Sequence, residues 1–94
     1  MKVWVSPEAE ADLRATLDFI RERNPPAAVE LAQRVFDTLE KLSAGGFEGP
    51  QQRLTTGEFV RSWLTPPFRI YYQRRQDMLY VLRIYHHARR PIAR

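Results

Sequence analysis

The sequence predicts an α+β two-layer sandwich with element order β-α-α-β-β-β, an antiparallel sheet covered on one face by an αα-hairpin. Three observations predict it. Two segments of the first half carry apolar residues at helical spacing and are parted only by Asn24-Pro25-Pro26. Three segments of the second half are rich in aromatic and β-branched residues and are separated by short polar or proline-containing turns. A short apolar run, Lys2-Val3-Trp4-Val5, stands before the first helix.

Residues 2–5 therefore read as the first strand. Ser6 is a good N-cap and Pro7 suits the first helical position, so a helix opens there. Glu8, Glu10 and Asp12 lie where the helix dipole favours negative charge. Ala9, Leu13, Leu17 and Ile20 recur on one face, and Arg21 and Arg23 close the helix before the prolines. The second helix is expected from about Pro26 to Leu42, with Ala28, Ala32, Val35, Leu39 and Leu42 as its apolar stripe, widened by Val29 and Phe36. Gly45-Gly46 offers a left-handed cap. Helices joined by so short a break form an antiparallel hairpin.

Residues 45–58, rich in Gly, Pro, Gln and Thr, read as a loop. Strands follow over 59–64, 68–74 and 78–86, with Pro66-Pro67 turning the chain between the first two. The polar segment Gln73-Arg74-Arg75-Gln76-Asp77 reads as a longer hairpin loop. Short connections make these three strands antiparallel neighbours. The first strand must join the sheet beside the last strand or a middle one.

Ninety-four residues, 44% hydrophobic and 28% charged, fit one folded domain over 1–94. No apolar run approaches the length of a membrane span, and Met1–Pro7 has no signal-like apolar stretch, so no membrane partner is expected. There is no cysteine, which excludes disulfides and thiolate metal sites and fits a reducing, cytoplasmic setting. No Walker loop, nucleophile elbow or dinucleotide fingerprint is present, so no cofactor is expected.

The net charge of +4 hides an asymmetry. Residues 1–49 hold six Lys/Arg against nine Asp/Glu, while residues 50–94 hold nine Arg against two acids. A half-molecule that basic, and basic through arginine alone, suits phosphate or carboxylate partners. Strand alternation sorts these arginines. If Ile70, Leu82 and Ile84 face the helices, then Arg69, Arg83, Tyr71 and Tyr85 point to the open face. Arginine with tyrosine is what phosphate contact and base stacking require. The alternative for such arginines is pairing with Glu58 or Asp77. His86 and His87, adjacent on a strand, point to opposite faces and do not chelate one metal, so no metal is expected. Either histidine has the chemistry of a general base.

Taken together, SPEAEADLRATLDFIRERNP, the Gly/Pro loop, FRIYYQ and VLRIYHHARRP resemble the RelE/ParE superfamily of toxins from type II toxin–antitoxin systems, over nearly the whole chain. The Ser-Pro-Glu-Ala opening and the Leu-Arg-Ile-x-His-x-x-Arg-Arg ending look most like ParE-type members. The resemblance implies one of two activities. RelE-like members are ribosome-dependent endoribonucleases acting on mRNA, whereas ParE-like members poison DNA gyrase without a nuclease site. The nuclease pattern puts lysines on the strand before the Pro-Pro turn. Val60 and Ser62 lie near those positions here, with Arg61 between them. Arg69 and Arg89 match its two arginines, but no tyrosine follows Tyr85. Under a nuclease reading the candidate catalytic residues are Arg61, Arg69, His86, His87 and Arg89. The incomplete set favours the ParE-like reading, with Arg61, Arg69, Tyr71, Arg83, Tyr85, Arg89 and Arg90 as target- or nucleic-acid-binding residues. The family implies a cognate antitoxin whose acidic segment folds on the toxin, and operator DNA contacted indirectly through it. Growth inhibition is the expected consequence; the further alternative is a non-toxic interaction module of the same fold.

Overall fold

The structure is a computed structural model and describes residues 2–86. Its elements are β1 (Lys2–Val5), α1 (Pro7–Arg23), α2 (Pro25–Ala44), β2 (Gln51–Arg53), β3 (Phe59–Thr65), β4 (Phe68–Arg75) and β5 (Met78–His86). The strands form one sheet of order β1-β5-β4-β3-β2. The two-layer α+β architecture is the one expected. The sheet is mixed, because β1 pairs with β5 in parallel while the other neighbours are antiparallel.

Local chemistry fixes the helices. Ser6 caps α1, its Oγ accepting from the Ala9 N–H at 2.9 Å and donating to the Leu82 carbonyl at 2.7 Å. The same residue extends the pairing of β1, its N–H donating to the Val81 carbonyl at 2.9 Å. One short side chain thus ends a strand, starts a helix and ties both to β5. Asn24 serves two helices. Its N–H donates to the Ile20 carbonyl at 2.7 Å, closing α1, and its Oδ1 accepts from the Ala27 N–H at 3.2 Å, opening α2. Gly45, with φ at 80°, ends α2 in the left-handed conformation that glycine adopts without strain.

The core lies between helices and sheet. Ala9 from α1, Val35, Leu39 and Leu42 from α2, and Phe68, Ile70, Tyr72, Leu79, Val81 and Ile84 from the strands form it. Val29 and Phe36, expected to widen the α2 stripe, are instead 72% and 58% exposed. They share a stripe seven residues apart, but it lies about 100° round the helix from the Ala28–Val35–Leu42 line. Thr38 is buried in their place.

The segment read as a loop over 45–58 contains β2, three residues that pair antiparallel with β3. The hairpin loop expected over 73–77 shrinks to two residues. Arg75 pairs with Met78, and Gln76 takes the positive φ of 54° that a two-residue turn demands.

Register is broken once. Tyr71 faces Arg83 and Tyr72 faces Val81, leaving Leu82 without a partner in β4. This bulge reverses the alternation along β5. Leu79 and Val81 on one side of it, and Ile84 on the other, all enter the helix-side core. Leu82 turns to the opposite face, where Leu54, Val60 and Tyr71 form a second buried cluster with Leu82 and Tyr85 against it. The expected core face of Ile70, Leu82 and Ile84 is therefore corrected at Leu82, and the expected open face is partly closed.

Candidate target-binding face

Opposed residues on neighbouring strands share a face. On the face away from the helices the ladders give two rows across β3, β4 and β5: Ser62–Tyr71–Arg83 and Leu64–Arg69–Tyr85. The two tyrosines lock together edge to face, with centroids 5.7 Å apart and planes at 68°. Tyr71 is buried and offers no stacking surface, contrary to the expectation for an open-face tyrosine. Tyr85 is half-buried. Arg69 is half-buried and its Nη1 donates to Ser62 Oγ at 3.2 Å, a long bond to a neutral acceptor. Leu64 beside it is 42% exposed. A cavity of about 260 Å³ opens here, lined by Pro50, Ser62, Trp63, Leu64 and Arg69.

Arg83 joins this face only by its ring contact, its guanidinium carbon 4.7 Å from the Tyr85 centroid. Its polar groups are committed to α1. Nε and Nη2 donate to Asp12 Oδ2 and Oδ1, both at 2.9 Å. The carboxylate also accepts the Ile84 N–H at 3.2 Å. β1 stops at Val5, so the edge of β5 beyond Val81 has no strand beside it. Ser6, the cap of α1, and Asp12 within it supply the missing partners. The Asp12 hydrogen bonds raise the Arg83 pKa above its ordinary value, outweighing the opposing effect of burial.

Arg61 sits on the other face. It lies opposite Tyr72, whose ring is in the helix-side core. Arg61 Nε contacts Glu48 Oε2 at 2.9 Å and Nη1 donates to the Gly49 carbonyl at 2.8 Å. Arg74 Nε donates to the other oxygen of Glu48. Glu48 therefore clamps two strands through a loop carboxylate. Of the arginine partners expected at Glu58 and Asp77, the described residues show only the Arg75–Glu58 contact, at 3.7 Å. Nothing in the spacing of Glu48 announced its role, because the loop must fold back over β3 and β4 before the three residues meet. Leu64 was also missed, since its place beside Arg69 depends on register.

Of the expected residues, Arg69 and Tyr85 stand together, Arg83 is turned to α1, and Arg61 lies across the sheet. His86 is exposed at the end of β5, opposite Phe68. His87, Arg89 and Arg90 lie outside the described residues. Among the described residues no three of His, Asp and Glu converge as a metal ligand set, and no helix is long and apolar enough to cross a membrane.

A family model described as the ParE toxin of the type II toxin–antitoxin system, parDE, matches residues 3–91. The chain is similar to a solved structure described as the chromosomal ParDE TA system from P. aeruginosa, at a TM-score of 0.74 and 22% identity, covering 92% of this chain and 95% of that one. At that identity the likeness concerns the fold. No curated protein matches the chain. The family match reaches into all seven elements described above, and the chain belongs to the ParE toxin family of type II toxin–antitoxin systems.

Proposed function

We propose that the protein is a ParE-like toxin that inhibits DNA gyrase and is neutralised by a cognate antitoxin in the cytoplasm. The gyrase target is carried by the chemistry at Val60 and Ser62, which lie near the positions where the resemblance expects the nuclease lysines. Val60 is 1% exposed within an apolar cluster, and Ser62 is 4% exposed with its hydroxyl accepting from Arg69. A buried valine and an occupied serine neither move a proton nor stabilise a phosphorane. The site is built to hold a partner through Arg69, Tyr85 and Leu64, and arginine and tyrosine are the residue types that dominate protein interfaces. The antitoxin is expected to be acidic, because the 50–94 half carries nine arginines against two acids and steers a negative segment toward the sheet.

A gyrase supercoiling assay with the purified full chain tests the target. Inhibition or trapped cleaved DNA, relieved by adding the antitoxin, is the expected result. Normal supercoiling at large excess of folded protein, with cut messages in a translation extract, would overturn it in favour of the nuclease reading.

A further inference from the structure

β2 stops before β3 does. Its ladder ends where Gln51 faces Arg61, and beyond that only the Pro50 carbonyl continues, accepting the Ser62 N–H at 3.2 Å. Gly49 then turns beneath the sheet, its N–H donating to the Tyr72 hydroxyl, and Glu48 goes to Arg61 and Arg74. Backbone groups of a strand point alternately to its two sides. The Ser62 N–H points away from β4, so Leu64, two residues on, points its N–H and C=O the same way. No described strand covers that stretch of edge, and among the described residues neither Leu64 group has a partner. Two side-chain features meet at the same place. The cavity of about 260 Å³ has Pro50, Trp63 and Leu64 among its walls, and Trp63 is held in place by Phe47, with ring centroids 4.3 Å apart. Arg69 lies opposite Leu64, and among the described residues the neutral Ser62 hydroxyl is its one hydrogen-bond partner. A guanidinium has five N–H donors, so most of its capacity is unspent.

We propose that this edge takes an extended acidic segment of the antitoxin, whose backbone pairs with Leu64 while one apolar side chain fills the cavity and a carboxylate two residues along binds Arg69. Each part answers one feature. A backbone donor and acceptor in strand phase match a peptide, and such pairing gives affinity while adjoining pockets give sequence preference. Residues two apart in an extended chain share a face, so a single segment reaches the cavity and Arg69 together. The arginine fork matches a carboxylate, and an acidic segment is drawn to a half-molecule with nine arginines against two acids. A segment seated there covers Arg69 and so keeps other partners from it. The inference rests on reading the Leu64–Arg69–Tyr85 row as a partner surface, and it assigns the edge of that row to the antitoxin.

The probe is a synthetic peptide of about six residues, the length of an ordinary strand, capped at both ends and carrying leucine and glutamate two residues apart among threonines. It is titrated into the isotope-labelled full chain and followed by amide NMR. Saturable shifts centred on the Leu64 amide are the expected result. Changes to the peptide test the geometry without touching the fold. Moving the glutamate next to the leucine puts the two on opposite faces and weakens binding about tenfold. Replacing the leucine by alanine also costs about tenfold. Methylating the leucine amide removes its bond to the Leu64 carbonyl and costs about fivefold. In the protein, Arg69→Ala weakens binding about tenfold, Arg69→Lys restores part of it, and Arg14→Ala on α1 changes nothing. The amide spectrum of each variant shows that it is folded. No shift at Leu64 even at millimolar peptide overturns the proposal. So does equal binding of the rearranged and methylated peptides, which would reduce the contact to charge attraction. Gyrase inhibition by the same preparation separates the two readings. Inhibition without peptide binding sinks this inference alone, and peptide binding without inhibition sinks the gyrase target alone.

Discussion

Asp12 of α1 and Arg83 of β5, 71 residues apart, meet in a two-pronged ion pair in which the same carboxylate also takes the Ile84 N–H. The Asp12 side chain is 9% exposed and that of Arg83 31%. The pair is a substitute for strand pairing. Where β1 ends, a helix side chain satisfies the Ile84 N–H on the edge of β5, and the arginine one residue earlier secures that side chain.

Asp12→Ala therefore removes two charge-assisted bonds and orphans a backbone N–H. The expected loss is about 2 kcal/mol, a fall in Tm of about 8–16 °C for a domain this size. Arg83→Ala loses less, because Asp12 keeps the Ile84 bond. The double variant is less destabilised than the sum of the two by about 1 kcal/mol. Urea unfolding of the four proteins measures the cycle, and strict additivity would show that the two side chains act independently. Because the Arg83 pKa is raised, its contribution is fully present below its unfolded-state value and is lost only as pH rises through the folded one. The difference between wild type and Arg83→Ala should then hold steady from neutral into mildly alkaline solution.

Gly49 is required by close approach and not by backbone conformation. A Cβ there would stand 1.8 Å from the Ser62 carbonyl oxygen and 2.7 Å from its carbon, both backbone atoms of a central stretch of β3. Gly49→Ala must push the loop off the sheet, and with it Glu48 from Arg61 and Arg74. A loss of about 2–3 kcal/mol is expected, at the upper end for forced overpacking. Thermal unfolding checks it; an unchanged Tm would mean the loop is not held against β3.

The same loop is fastened from beneath. Tyr72 is fully buried and its hydroxyl accepts the Gly49 N–H at 2.8 Å. Tyr72→Phe keeps the ring in the core but strands that buried N–H, costing about 1–2 kcal/mol. Amide hydrogen exchange gives the sharper readout. Exchange at Gly49 should accelerate strongly, while core amides of β4 change only with global stability.

Element existence was legible in the chain because Ser6, Asn24 and Gly45 each state a boundary in local chemistry that needs no tertiary context. β2 was not, since Gln51-Gln52-Arg53 has no strand composition and exists only because β3 offers an edge. The faces of β5 were misread for one physical cause. A bulge at Leu82 reverses alternation, and nothing in Val81-Leu82-Arg83-Ile84 distinguishes a bulged run from a regular one. The concentration of arginine in the second half of the chain was legible in its composition. The partners of those arginines were not, because Asp12 and Glu48 reach them only through the folded chain.

Arg69 and Arg61 stand on strands β4 and β3 and look equivalent in sequence, yet their surroundings predict opposite phenotypes. Arg61 is tied to Glu48 and Gly49, so Arg61→Ala should lower stability by about 1 kcal/mol and leave target inhibition intact once the protein is folded. Arg69 makes a 3.2 Å bond to a hydroxyl and sits beside exposed Leu64 at the rim of a cavity. Arg69→Ala should cost the fold little and raise the concentration needed to inhibit gyrase by about tenfold, the loss of one interfacial arginine anchor. Supercoiling inhibition and urea unfolding measured on the same preparations separate the two. If Arg69→Ala inhibits as wild type does while Arg61→Ala does not, the working surface lies on the helix side of the sheet, and the Leu64–Arg69–Tyr85 row is only a cover for Tyr71.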